Sequence, residues 1–253
     1  MGDANGNVQV RASDYDAVVF DMDGVVTQTA SVHEAAWKSL FDDYLKERAA
    51  AGGDRFREFT PADYLRYVDG KPRYDGVRDF LASRGITLQW GTEADPPEAE
   101  TVCGLGNRKN ALFQKELHDH GVQVFQSTVA LIRELHAAGV HTAVISASKN
   151  ASQVLLAGGV QDLFEAQVDG QVAEEQHLPG KPDPAVFLEA TRRLGAQPRR
   201  SVVVEDAAAG VKAGRAGGFG LVIGIDRGGN AEGLRQNGAD VVVKDLDEVK
   251  LVV

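Results

Sequence analysis

Apolar runs and amphipathic stripes alternate along most of the chain, with one long exception. Ala17-Val18-Val19-Phe20 is a continuous apolar run, the pattern of a strand buried on both faces, and a strand is expected from Tyr15 to Phe20. Polar residues follow at Thr27 to Ser31. From Val32 the period changes: Ala35, Ala36, Leu40, Phe41 and Leu45 share one helical stripe, and the Ala/Gly run from Ala49 to Gly53 ends it. Thr60-Pro61-Ala62-Asp63 reads as a helix start, with Thr60 as cap, Pro61 in the first position and Asp63 closing a capping box. Tyr74 to Ser83 and Asn107 to His120 also read as helices, stopped by Gly85 and Gly121. Gly91 to Glu100, with Pro96-Pro97, reads as a surface loop, and Gly104-Leu105-Gly106 as a loop before a helix. No strand pattern occurs from Ser31 to Gly121.

Beyond Gly121 helices and strands alternate. Helices are expected at Ser127–Ala138, Ala151–Ala157, Pro184–Leu194, Ala207–Ala216 and Ala231–Asn237. Strands are expected at Thr142–Ile145, Ala166–Val168, Ser201–Val204, Leu221–Ile225 and Asp240–Val243. Such alternation implies parallel strands with helices on both faces. The expected fold is therefore α/β: a doubly wound, Rossmann-like parallel-sheet core with an inserted all-helical cap domain. Residues 1–30 supply the tail and first strand, 31–121 the cap, and 122–253 the rest of the core. Met1 to about Ser13 is polar and is expected to be a mobile tail.

Composition narrows the functional classes. The chain has 253 residues, 43% of them hydrophobic, enough for a substantial core. Its net charge of −10 argues against partners with a phosphate backbone or an anionic membrane surface. Cys103 is the single cysteine, which fits a reducing compartment. No apolar run approaches membrane-span length, there is no signal-peptide core, and Gly6 stands where myristoylation needs Ser or Thr. A cytoplasmic monomer acting on a small molecule is the expectation, with no nucleic-acid or membrane partner.

The chemistry gathers at strand ends. Asp21-Met22-Asp23-Gly24 places two carboxylates at the carboxyl end of the first strand, where open α/β sheets bind ligands. Such a pair can hold a hard cation such as Mg²⁺, and one member can act as a nucleophile; an Asp-rich turn is the plain alternative. Ser146-Ala147-Ser148-Lys149-Asn150 brings hydroxyls and an amide to a helix start, either a phosphate site or a helix cap. Lys181, in Gly180-Lys181-Pro182-Asp183-Pro184, can neutralise carboxylates and grip a phosphoryl oxygen, although most loop lysines are solvated. Glu205-Asp206 follows another apolar strand. Four acids at two strand ends repel one another unless a cation lies between them. The glycines from Gly210 to Gly220 do not form a dinucleotide fingerprint, and no P-loop sequence occurs.

The ordered set Asp21/Asp23, Ser146, Lys181, Glu205/Asp206 resembles the haloacid dehalogenase superfamily of phosphotransferases. A closer resemblance is to its β-phosphoglucomutase group, through Thr29-Ala30, His33, Ala36-Trp37-Lys38-Ser39-Leu40, Arg108-Lys109-Asn110 and Ser146 to Asn150. The resemblance implies that Asp21 is the nucleophile, Asp23 the general acid–base, and Ser146 and Lys181 the phosphoryl-binding residues. It implies Mg²⁺ on Asp21, Asp23 through its carbonyl, Glu205 and Asp206, and a cap that closes to exclude water. His33, Arg73 and Lys109 in the cap, and Ser148, Lys149 and Asn150 in the core, are the implied substrate-binding residues. Taken alone, His33 reads as a solvated histidine, Trp37 as cap core, and Arg73 and Lys109 as surface charges.

The expected activity is interconversion of β-glucose 1-phosphate and glucose 6-phosphate through an aspartyl-phosphate and a bisphosphate intermediate, with glucose 1,6-bisphosphate as primer. A Mg²⁺-dependent sugar-phosphate phosphatase with the same nucleophile is the alternative. A non-catalytic sugar-phosphate sensor is disfavoured, because it would need neither Asp21 nor Asp23.

Overall fold

The computed structural model describes residues 8–52 and 55–252. Chain contacts divide it into two units, one of residues 1–28 and 122–253 and one of residues 29–121.

The first unit is α/β. Its strands are β1 (Val8–Arg11), β2 (Ala17–Asp21), β3 (His141–Ile145), β4 (Ala166–Val168), β5 (Ser201–Glu205), β6 (Leu221–Ile225), β7 (Val241–Val243) and β8 (Val249–Val252). Six of them form a parallel sheet in the order β4-β3-β2-β5-β6-β7. Strand β2 is central and buried along its whole length, which is why its sequence is a continuous apolar run instead of an alternating one. Val19, Ile145, Val203, Phe187, Val211 and Phe219 share one core with the flanking helices.

Strands β1 and β8 form a separate parallel pair, Val8 opposite Val249. Residues 8–13 are therefore an ordered strand and a 3₁₀ turn, not part of a mobile tail. Polar composition concealed this, because β1 buries only Val10 and its neighbours face outward. The remainder of the expected tail, residues 1–7, lies outside the described residues.

The second unit is helical: α1 (Ala30–Ala50), α2 (Pro61–Asp63), α3 (Arg73–Ser83) and α4 (Val102–His120), with a π turn at Tyr64–Val68. The Thr60 capping box forms as its sequence predicts: the Asp63 N–H donates to Thr60 Oγ1 at 3.2 Å and the Thr60 N–H to Asp63 Oδ2 at 3.0 Å. Trp37, Phe41, Phe59 and Phe80 form an aromatic core, with the Phe41 and Phe80 centroids 4.1 Å apart. Buried Asp42 is satisfied by the Phe59 N–H at 2.7 Å and by Lys38 at 2.9 Å.

Gly104-Leu105-Gly106 lies inside α4, not in a loop before it, and Thr101 caps that helix through the Gly104 N–H. These glycines are packing residues. A Cβ on Gly106 would meet the Tyr74 ring at 2.5 Å, so close helix approach outweighs glycine's poor helix propensity.

The helices of the first unit after residue 122 are α5 (Gln126–Ala137), α6 (Ala151–Ala157), α7 (Gly170–Glu175), α8 (Ala185–Arg193), α9 (Ala208–Ala216) and α10 (Ala231–Gln236). Helix α7 was not legible in the sequence; it is a short helix whose start Asp169 caps with bonds of 3.0 Å from the Gln171 and Val172 N–H groups.

Candidate active site

Sheet register assembles the site. Phe20 lies opposite Val204, and Asp21 lies opposite Ile145. Asp21 and Glu205 therefore leave adjacent strands at the same level, and Ser146 follows directly on the other side. The Met22 N–H donates to the Ile145 carbonyl at 3.0 Å, which extends the alignment past the strand end.

Lys181 connects the two acidic strands. Its Nζ lies 2.5 Å from Asp21 Oδ1 and also bonds Glu205 Oε1. All three side chains are buried. Burial works against the ammonium, but the Asp21 and Glu205 carboxylates outweigh it and hold Lys181 above its ordinary range. Burial pushes Asp21 well above the usual carboxylate range; Lys181 opposes this, and Glu205 and Asp23 reinforce it. Three carboxyl groups, Asp21, Asp23 and Glu205, thus stand beside one lysine.

Gly24 turns the chain with φ +82°, a conformation that glycine adopts without a Cβ penalty. A Cβ there would overlap the Asp206 carboxylate, so Asp206 lies directly against the Asp21–Gly24 turn. Across the turn, the Ser146 hydroxyl donates to Asp23 Oδ2 at 3.4 Å.

These oxygen donors test the fit of Mg²⁺. Among the described residues no group of three or more acidic, His or Cys side chains is gathered for a metal. The chemistry of the set still suits a hard cation: Asp21, Asp206 and the Asp23 carbonyl belong to one turn and its neighbour, and carboxyl groups outnumber the lysine. Glu205 is placed differently from the open donor that its sequence position implies. It bonds Lys181, accepts from the Ala207 N–H at 2.6 Å, and is fully buried.

The Ser146–Asn150 loop caps itself. The Ser148 N–H donates to Ser146 Oγ at 3.0 Å, and the Asn150 N–H to Ser148 Oγ at 3.1 Å. Lys149 pairs with Glu174 at 2.7 Å. Ser148, Lys149 and Asn150 therefore share one loop with Ser146, while Lys149 is turned to a carboxylate of α7.

In the helical unit, His33 and Lys109 meet directly, with Lys109 Nζ 2.7 Å from His33 Nδ1. An ammonium only donates, so Nδ1 accepts and the ring proton is on Nε2. His33 stacks on Phe113 at 4.2 Å, and Lys109 is buried over the Trp37 and Phe113 rings. Burial first, then the Lys109 and Arg73 charges, hold His33 well below its ordinary range. Arg73 donates to Asn110 Oδ1 at 3.0 Å. None of the three is the solvated surface group that its local sequence suggests.

Sequence reasoning missed Gly210, whose Cβ would overlap the Glu205 carboxylate, and Gly170, whose Cβ would press on the Ala147 carbonyl at 2.6 Å. A small residue two to five positions beyond a strand end was the available signal.

This parallel sheet, with a buried Asp-Lys-Glu cluster at the carboxyl ends of its central strands, is an α/β domain with a candidate site where open α/β sheets bind their ligands. The haloacid dehalogenase-like hydrolase family model matches residues 15–218, and the chain belongs to that superfamily of phosphoryl-transfer enzymes. Within it, the chain is 50% identical over 237 residues to a beta-phosphoglucomutase of Mycobacterium tuberculosis, covering 92% of this chain and 90% of that one. The crystal structure of a beta-phosphoglucomutase from Clostridium difficile shares the fold, with a TM-score of 0.73 over 93% of each chain at 23% identity. A haloacid dehalogenase family hydrolase from Deinococcus radiodurans with bound phosphate and sodium matches at TM-score 0.65 and 27% identity, over 93% of each chain. Among the described residues no helix is long and apolar enough to cross a membrane.

Proposed function

We propose that this protein is a sugar-phosphate mutase that interconverts β-glucose 1-phosphate and glucose 6-phosphate. The observation that carries the reading is the buried Asp21–Lys181–Glu205 cluster beside Asp23 and Ser146. The relative named beta-phosphoglucomutase, 50% identical over nearly the whole chain, supports the choice of sugar.

Asp21 attacks phosphorus in line and forms an aspartyl-phosphate. Ser146 and Lys181 hold the phosphoryl oxygens, and Glu205 keeps Lys181 charged and oriented. Asp23 donates its proton to the leaving sugar oxygen and then takes the proton of the incoming hydroxyl. The bisphosphate formed in between turns over, and the second transfer returns phosphate to Asp21. Asp21, the Asp23 carbonyl and Asp206 would hold Mg²⁺, with Glu205 behind them. When bound, the ion offsets charge on the transferring group. His33, Arg73 and Lys109 are assigned to the sugar or the distal phosphate, and Ser148, Lys149 and Asn150 to the non-transferring phosphate. Cys103, the single cysteine of the sequence, is buried, which accords with a reducing, cytoplasmic setting.

A phosphatase remains the second reading, because the matching family model is one of hydrolases and water can use the same nucleophile. The experiment is a product assay with β-glucose 1-phosphate, Mg²⁺ and a trace of glucose 1,6-bisphosphate, following glucose 6-phosphate and free phosphate together. Glucose 6-phosphate as the main product is expected. Free phosphate as the main product would replace the mutase by the phosphatase.

A further inference from the structure

Arg227 follows β6, and no step of the phosphoryl chemistry uses it. Its guanidinium is nevertheless held on several sides. Nε donates to the Gly24 carbonyl at 2.9 Å. Nη1 donates to Asp245 Oδ2 at 3.0 Å and to the Lys244 carbonyl at 3.3 Å. The guanidinium carbon lies 3.7 Å from the Phe125 ring centroid. Nη2 is buried with no hydrogen-bond partner among the described residues.

The groups that hold Arg227 are themselves tied down. The Phe125 N–H donates to the Val26 carbonyl at 3.0 Å, at the far end of the same turn. Asp245 accepts from the Ser127 hydroxyl and from the Leu246 N–H at 2.6 Å. The Gly24 N–H donates to the Thr27 carbonyl at 2.8 Å. Both peptides that flank Gly24 are therefore anchored, one by Thr27 and one by Arg227.

That anchoring matters at this residue. Glycine at positive φ has the widest backbone freedom of any residue, and Gly24 directly follows Asp23. An unanchored Gly24 would let the Asp23 carboxylate leave its place beside Ser146. A planar guanidinium can lie against Phe125 while its N–H groups donate to Gly24, Asp245 and Lys244 in a fixed fork; an ammonium is a flexible point donor without that plane.

We infer that Arg227 is a positioning residue: by fixing the Gly24 carbonyl it holds the Asp21–Gly24 turn, and with it the Asp23 carboxylate, in one conformation. This deepens the proposed function and rests on its acid–base assignment to Asp23.

The test measures total turnover of β-glucose 1-phosphate with Mg²⁺, counting glucose 6-phosphate and free phosphate together. It compares wild type with Arg227→Ala, Arg227→Lys and Phe125→Leu, and records pH profiles and melting temperatures. Arg227→Ala should lower kcat by about tenfold to a hundredfold through misplacement, with KM within about twofold. Its kcat–pH profile should shift, added guanidinium ion should restore part of the rate, and Arg227→Lys should recover little. Wild-type kcat and pH profile in Arg227→Ala, or a change confined to KM, would overturn the inference. Should Arg227→Ala not fold, Phe125→Leu decides, because it keeps the guanidinium and loosens its stack. A lowered kcat at unchanged melting temperature supports the role, and wild-type kcat overturns it. Asp23→Asn is assayed alongside. Full turnover there sinks the acid–base reading, whereas loss there with full turnover in Arg227→Ala sinks the positioning role alone.

Discussion

Lys181 Nζ lies 2.5 Å from Asp21 Oδ1 although 160 positions separate them in the chain, and it bonds Glu205 as well. One buried ammonium thus joins the carboxyl ends of two neighbouring strands. Replacing it with the similar-sized Lys181→Met leaves two buried carboxylates without their counter-charge. The loss of one partner of a buried pair costs about 3–5 kcal/mol. Urea denaturation should show a destabilisation of that order, and phosphate-ester turnover should fall by about a hundredfold or more. A variant with wild-type stability would show that the cluster is not ionised as described.

Asp23 and Ser146 face each other across the strand ends, and Asp23 is assigned the proton transfers. Asp23→Asn should lower turnover by about 10²- to 10⁴-fold. Because only its backbone carbonyl is assigned to Mg²⁺, calorimetric titration should give a Mg²⁺ affinity close to wild type. A large loss of affinity would move the Asp23 carboxylate into the metal site.

His33 should remain neutral wherever an ordinary histidine titrates. Its folded-state pKa is held below the ordinary value of 6.5 by burial and by Lys109 and Arg73. Below pH 6.5 the unfolded chain therefore takes up a proton that the folded chain refuses, and this group's contribution to stability falls with pH. The imidazole resonances of His33 should show no inflection at the ordinary value of 6.5. An inflection near 6.5 would contradict the buried Lys109 contact.

Glu189 on α8 acts in the same direction at lower pH. Hydrogen bonds from Arg192 and Arg193 hold its carboxyl down to about 2, from an ordinary 4.5. Its contribution is fully present above pH 4.5 and is lost as pH falls from 4.5 through about 2. Arg192 is largely exposed, so solvent screening limits the contribution to about 1 kcal/mol. Chemical denaturation of Glu189→Gln should show that loss at neutral pH, and the difference from wild type should vanish toward pH 2.

Local pattern and local chemistry were enough for much of this molecule. The apolar run before Asp21 predicts a doubly buried strand because period and hydrophobicity are properties of adjacent residues, and β2 is that strand. Thr60 and Asp63 predict a capping box because its partners are three positions apart. The alternation after Gly121 carries the parallel sheet because each crossover is local.

Other features depend on partners far away in the chain. The pairing of β1 with β8 joins opposite ends of the described chain, and nothing in Val8–Arg11 alone distinguishes it from a polar tail. Gly104 and Gly106 read as loop residues until Tyr74 and Ala99 are seen pressed against them. Placement of β2 between β3 and β5 decides that Asp21 ends its strand level with the strand ends that carry Ser146 and Glu205, and no local signal orders strands within a sheet. The same holds for Lys181 between two acids and for Arg227 on the Gly24 carbonyl. The sequence by itself determined that acidic and hydroxyl residues suited to phosphoryl chemistry stand directly after buried strands, since residue type and periodicity are local. Tertiary structure alone decided which of them share a charge, which are buried and what holds their turn, because burial and long-range pairing exist only once the chain has folded.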